Sequence, residues 1–243
     1  MATRAQIDLR TGRFYLTRTA FVENALKGHS WKILDVGNLG DGPVNVDVRG
    51  ITLKNNGDYC GLDCNANLAQ TMGWDKQYIG DVHDLRGVIP DDTFDCVYMG
   101  QVIEHSWYPG AIIRECHRIL KPEGYLVLDT PNTYGIINLL RYAFKRRDTM
   151  GLEDVELTYN ESKDNFVEWR ASGHELSQPQ HKIFFSPAML RMMMNMHGFA
   201  VEELAFIGKS NNLAHRVLLS LFPQCSDKLG IVAKKQSLEQ IFK

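Results

Sequence analysis

With 243 residues, 44% of them hydrophobic and 23% charged, the chain fits one α/β domain with a decorated edge better than two independent domains. A formal net charge of -2 excludes a protein built overall to bind polyanions. The five cysteines (Cys60, Cys64, Cys96, Cys116, Cys225) form no CxxC pair and no Cys/His zinc spacing, so free thiols in a reducing cytoplasm are expected. The N-terminal stretch has no apolar signal-like segment and no apolar run reaches spanning length, which also reads as cytoplasmic, with a peripheral membrane contact left open.

Residues 1–30 read as a helical lead-in, with Phe21, Ala25 and Leu26 on one face before "KGHS" breaks it. "WKILDVG" follows, a short apolar run closing on Asp35 and Gly37, the pattern of a fully buried parallel strand. Runs of the same kind are "DYCGLDCN" (58–65), closing on Asp63, "QYIGDVHDL" (77–85), closing on Asp81, "FDCVYMGQV" (94–102) and "GYLVLDTPN" (124–132). Between the last two, "PGAIIRECHRILKPEG" (109–124) predicts a helix. Pro109 starts it, Gly124 lies beyond its end, and Ile112, Cys116, Ile119 and Leu120 share a face. Strands alternating with helices predict a doubly wound, Rossmann-like, mostly parallel sheet in a single domain over 1–243.

After residue 132 the pattern changes. "TYGIINLLRYAFKRR" (133–147) is amphipathic, and the polar, aromatic-studded stretch behind it is too long for a plain connection, so 133–180 is predicted to be a cap or lid insertion. The basic residues Arg141, Lys145, Arg146 and Arg147 read as a solvated helix face. In "HKIFFSPAMLRMMMNMHGF" (181–199), Pro187 opens a helix that ends before Gly198, and Met189, Met193 and Met196 are expected to form an adaptable core face. "AVEELAFIG" (200–208) and "GIVAKK" (230–235) are the closing strands.

Chemistry concentrates at the strand ends. "ILDVGNLGDG" (33–42) runs a strand into a glycine-rich turn, where backbone can approach a nucleotide closely. Open parallel sheets bind ligands outside the carboxyl ends of their strands, and Asp35, Asp63 and Asp81 all fall on that edge. An acid after the second strand suits ribose hydroxyls, and one after the third could accept from an exocyclic amine. Singly, such acids are turn formers or helix caps; together with the loop they point to nucleoside binding. A dinucleotide needs a helix N-terminus for its pyrophosphate. The following "PVNVDVRGITLKNN" is a poor helix former, which disfavours an NAD-dependent oxidoreductase without removing it.

Residues 32–132 and 181–204 resemble the class I S-adenosylmethionine-dependent methyltransferases. The most specific stretch is "FDCVYMGQVIEHSWYPGAIIRECHRILKPEGYLVLDTPN", similar to that family's block of an FD, a strand, a VxEH end, an LKPxGxL and a PN. "GLDCN", "YIGDVHDL" and "HKIFFSPAMLRMMMNMHGF" resemble its second motif, third motif and tail. The resemblance implies a seven-stranded sheet with a final antiparallel hairpin and S-adenosyl-L-methionine as cofactor. It implies Asp63 on the ribose, Asp81 near the adenine amine with Val82 packing the ring, Gly37 against the methionine part, and Gln101 near its end or the sulfonium. Asp35, Asn38, Gly40 and Cys64 complete the expected cofactor-binding set. The loop departs from the family's DxGxGxG, because Leu39 and Asp41 stand at the second and third glycine positions. Within the family the "EH" end resembles small-molecule O-methyltransferases of quinone biosynthesis and sugar tailoring, although Gln101 stands where the quinone enzymes generally carry an acid.

Transfer from a sulfonium mostly needs alignment, and a hydroxyl acceptor gains from losing its proton as it attacks. His105, just past the fourth strand, is the first candidate base, and His181, arriving from the cap side, the second. Glu104 orients an imidazole or binds a substrate hydroxyl, or simply charges the N-terminus of the next helix. No third carboxylate accompanies Glu104 and His105 at metal-ligand spacing, so no metal is expected. The expected partner is a small-molecule acceptor, not nucleic acid. The other readings are a non-catalytic nucleoside-binding protein and, less favoured, the NAD-dependent oxidoreductase.

Overall fold

A computed structural model describes residues 12–39, 46–66, 76–136, 139, 181–208 and 213–237. Gly40 and nearly all of the expected cap lie outside the described residues. In chain order the elements are β1 (Arg13–Tyr15), α1 (Arg18–Leu26), β2 (Lys32–Val36), α2 (Val48–Lys54), β3 (Asp58–Asp63), β4 (Gln77–Ile79), β5 (Phe94–Gly100), α3 (Pro109–Ile119), β6 (Leu120–Pro131), α4 (Pro187–Met196), β7 (Phe199–Ile207), α5 (Leu213–Leu221) and β8 (Lys228–Lys235).

One sheet holds all eight strands in the order β1-β7-β8-β6-β5-β2-β3-β4. Strand β8 runs antiparallel between β6 and β7, and every other pairing is parallel. The chain leaves β2 toward β3 on one side and returns through β5 on the other, so a switch point opens at their carboxyl ends.

The strands are continuous apolar runs because both faces are covered, and alternate side chains enter different cores. Along β2, Ile33 joins Phe21, Val22 and Leu26 on the α1 side, while Leu34 and Val36 join the larger core with Ile112, Ile113 and Cys116 of α3. Along β5, Cys96 and Tyr98 face the first core, and Val97 and Met99 the second.

Three local outcomes differ from the sequence reading. The lead-in is not wholly helical: β1 adds an eighth strand parallel to β7. Tyr15 anchors it, with its ring 5.5 Å from Phe21 and its hydroxyl donating to Glu203 at 2.6 Å. Such a strand is too short to show a period. Helix α2 forms despite its β-branched residues. Asp47 caps it by accepting from the Gly50 N–H at 2.8 Å, and burial of Val48, Ile51 and Thr52 outweighs intrinsic propensity. In α4 the core face is Pro187, Leu190 and Met194, whereas Met189, Met192 and Met196 are exposed and Met193 is only partly covered. Pro187 is buried at the first turn behind the Ser186 cap, and that fixes the helix phase one residue away from the expected stripe. Among the described residues no helix is long and apolar enough to cross a membrane.

Candidate active site at the carboxyl edge of the sheet

Gly37, the first residue beyond β2, has φ of +72° and donates its N–H to Leu62 O at 2.8 Å. A Cβ there would meet Val102 Cγ2 at 2.6 Å, so both backbone and space demand glycine. Asn38 and Gln77 exchange amide hydrogen bonds of 2.8 and 3.1 Å, tying the loop after β2 to β4. Asp63 closes β3, and its two oxygens accept from the N–H groups of Leu39 (3.3 Å) and Asn65 (2.9 Å). Next to it Cys64 is exposed, and partial burial together with the Asp63 charge raises its thiol pKa.

Asp81 is largely exposed. One oxygen accepts the His83 backbone N–H at 2.9 Å and lies 2.6 Å from the ring Nδ1. The backbone bond leads in holding the Asp81 carboxyl below its ordinary range. His83 Nε2 is 2.7 Å from Ser106 Oγ, which accepts from the Tyr108 N–H at 2.8 Å. Asp81 is therefore coupled through His83 to the turn after β5. Val82 packs half-buried on the larger core.

Asp35 sits within β2, 8% exposed, and accepts from Tyr59 Oη at 3.0 Å. Burial pushes its carboxyl up to about 7. The residue is thus tied to a strand neighbour inside the sheet. A folded-state pKa above the unfolded one means the native state binds the proton more tightly, so this group favours folding at low pH and costs stability as pH rises from about 4 through 7. At about 1.4 kcal/mol per tenfold in proton affinity, the cost reaches up to about 4 kcal/mol. Asp35→Asn keeps an acceptor for Tyr59. Its stability gain over the wild type should be absent near pH 4 and should grow toward pH 8 in urea titrations; a pH-independent difference would refute a buried titrating carboxyl.

Gln101, the first residue beyond β5, has φ of +60°. Its backbone N–H and its Nε2 donate to Asp129 O and Oδ1, each at 2.8 Å, and the Lys228 ammonium contacts its Oε1. Asp129 is fully buried in β6 and also accepts from Tyr98 Oη at 2.8 Å. Arg18 of α1 approaches with Nε 2.7 Å from Asp129 Oδ1 and a terminal nitrogen 3.2 Å from both Oδ2 and Tyr98 Oη.

The turn Ile103–His105 carries the acid and imidazole that end β5. Glu104 is fully buried; its Oε2 accepts from Thr130 Oγ1 at 3.1 Å, and burial, reinforced by Asp129, pushes its carboxyl up to about 7. The Glu104 carbonyl accepts from the N–H groups of Lys182 (2.6 Å) and Ile183 (3.1 Å), and Phe185 bridges to Asn132. These bonds bring residues 181–185 alongside the turn, and the His105 and His181 rings lie 4.9 Å apart. The structure thereby gathers the three residues the sequence singled out for catalysis. His117 instead packs edge-on against Phe199 at 5.2 Å, and His197 caps α4.

Residues 34–128 match the family described as a methyltransferase domain. That stretch contains the glycine turn, Asp63, Asp81 and the Glu104–His105 turn. Over that stretch the chain is similar to S-adenosylmethionine-dependent methyltransferases. A probable S-adenosylmethionine-dependent methyltransferase of Mycobacterium tuberculosis is 46% identical over 44 residues, and that alignment spans 18% of this chain and 16% of the relative. Among solved structures, a methyltransferase from Mesorhizobium loti has a TM-score of 0.57 at 17% identity, covering 89% of this chain and 96% of its own. One from Archaeoglobus fulgidus scores 0.53 at 16% identity over 89% and 94%. The cyclase SpnF scores 0.54 at 15% identity over 90% and 81%, so the fold alone does not select a reaction.

The carboxyl edge of the sheet has the shape and donors that suit a nucleoside. The left-handed Gly37 leaves no room for a side chain. Asp63 uses one N–H on each oxygen, and a carboxylate has lone pairs to accept more. Sequence reasoning missed His83 and Ser106, and the Arg18–Tyr98–Asp129–Lys228 set beneath Gln101. The signal available was Asp129 itself, an acid inside the apolar run "LVLDTPN", which must be paired if buried.

Proposed function

We propose that the protein transfers a methyl group from S-adenosylmethionine to an oxygen of a small-molecule acceptor, with a histidine taking the acceptor proton. The observation that carries this reading is the convergence of Glu104, His105 and His181 beside the turn after β5, at the same sheet edge as Asp63 and Asp81. The cofactor, when bound, supplies an electrophilic methyl on its sulfonium. Asp63 holds the ribose hydroxyls, Asp81 faces the base, and Val82 offers it an apolar surface. Gln101, fixed by Asp129 and Lys228, would hold the methionine end. His105 accepts the hydroxyl proton as the oxygen attacks in line, with the His181 ring 4.9 Å away helping to set its orientation. A small acceptor fits the net charge of -2, which offers little to a nucleic acid.

Titration calorimetry with S-adenosylhomocysteine, run beside NAD, tests the cofactor. Wild-type protein should bind the former alone, and Asp63→Ala should weaken it by at least about tenfold, the value of a charge-assisted hydrogen bond. Binding of NAD, or unchanged affinity in the variant, would reject the assignment. Release of S-adenosylhomocysteine against a panel of phenols, sugar nucleotides and carboxylates then separates methyl transfer from a binding-only or cyclase-like use of the fold.

A further inference from the structure

We propose that Glu104, His105 and His181 form a binding site for one divalent metal ion of the zinc or ferrous class. As metal ligands the sequence offered only the first two, side by side; the third is the imidazole of His181, which it offered as a base. One carboxylate oxygen of Glu104 and one ring nitrogen of each histidine lie within 4.8 Å of one another. A tetrahedral ion about 2.1 Å from each ligand sets them roughly 3.4 Å apart, so small side-chain rotations close the site.

Two independent features point to an ion. Glu104 is fully buried, and its Oε1 has no hydrogen-bond partner among the described residues. A buried carboxylate oxygen without a partner is costly, and a bound cation removes that cost. The other oxygen is already oriented by Thr130, as ligating carboxylates usually are. The second feature is the clamp on His181. Lys182 and Ile183 both donate to the Glu104 carbonyl, and the Lys182 ammonium lies 5.4 Å from the Trp107 ring centroid, so main chain and side chain hold His181 to the turn that carries its co-ligands.

The donor set selects the ion. Two imidazoles and one carboxylate suit zinc or ferrous iron and leave coordination positions open, whereas magnesium prefers oxygen ligands in an octahedral shell. Under the methyl-transfer reading, on which this step rests, an open position takes the acceptor oxygen. Its O–H breaks and the proton leaves to solvent as the metal–oxygen bond forms; the oxygen then forms its bond to the methyl carbon while the carbon–sulfur bond breaks. The ion thus promotes the deprotonation assigned above to the His105 ring, and His105 becomes a ligand.

The test uses the full chain stripped of metal, titrated with Zn²⁺ and with Co²⁺. Bound metal is counted by mass spectrometry, and Co²⁺ is read through its visible ligand-field bands. One equivalent is expected, lost by roughly 100-fold or more in Glu104→Gln, His105→Ala and His181→Ala, and unchanged in Cys64→Ser. Thr130→Val, which leaves all three ligands in place, should weaken binding roughly 10–100-fold. Binding well below one equivalent, binding that survives His181→Ala, or binding lost with Cys64→Ser would each overturn the site. Thermal melts identify any variant that fails to fold, and Thr130→Val then decides: affinity equal to wild type counts against the site. S-adenosylhomocysteine binding is measured on the same stripped sample, so a protein that binds it but no metal refutes this inference alone, and one that binds metal but no cofactor refutes the methyltransferase reading alone.

Discussion

Arg18→Met is expected to destabilise the protein by about 3–5 kcal/mol, the cost of removing one partner from a buried ion pair. Arg18 is 9% exposed and Asp129 0%, so water cannot take over the role of the guanidinium. Methionine replaces most of the aliphatic stem and packs at little cost, which isolates the charge. The abandoned carboxylate keeps the Tyr98 hydroxyl and Gln101 Nε2 as donors, which places the loss toward the lower end of the range. Arg18→Met combined with Asp129→Asn should recover a large part of it, because the double variant leaves no uncompensated charge. Urea denaturation of the two variants and the wild type checks this. A loss under about 1 kcal/mol, the value of an exposed pair, would show that solvent reaches Asp129. The consequence extends to the site, because Gln101 takes its position from the same carboxylate and from Lys228.

That network also shows where sequence reading ends. The strands were legible because a parallel strand buried on both faces must be a continuous apolar run, and the acids that stop such runs mark the ligand edge. Asp63, Asp81 and the Glu104–His105 pair were placed at the carboxyl edge of the sheet in this way. What stayed hidden depends on contacts between distant segments. Arg18 meets Asp129 across the sheet from a helix whose polar face looks ordinary in sequence, and His83 meets Ser106 from a separate loop. Asp35 carried the same signal as Asp63, a strand-ending acid, yet the Tyr59 hydroxyl on the neighbouring strand draws it inward. The phase of α4 was hidden for a related reason: methionines line several faces of that helix, and composition cannot choose among them once Pro187 and Leu190 have fixed the rotation. His181 stands between these cases. It was recognisable as a candidate base from its residue type, but its pairing with Glu104 and His105 rests on two backbone hydrogen bonds that no local pattern encodes.

With an acceptor in hand from the release screen, His105→Ala is expected to lower kcat by roughly 10²–10⁴-fold, the usual contribution of a positioned proton acceptor. S-adenosylhomocysteine affinity should stay close to wild type, because Gly37, Asp63 and Asp81, assigned to the cofactor, belong to the segments after β2, β3 and β4, and Gln101 is held by Asp129 and Lys228 rather than by the turn that carries His105. The separation matters physically. A residue that acts only as the reacting oxygen attacks lowers kcat and kcat/KM together, whereas one that merely packs the pocket raises KM and weakens cofactor binding. His181→Ala provides the comparison. If His105 takes the proton directly and His181 only orients it, the His181 variant should retain more activity than the His105 variant. If both are ligands of one ion, the two variants should fall by the same factor, and the double variant should fall no further, as expected for residues acting as a unit. A His105→Ala enzyme within about threefold of wild-type kcat would end both accounts, since a general base is worth far more than that.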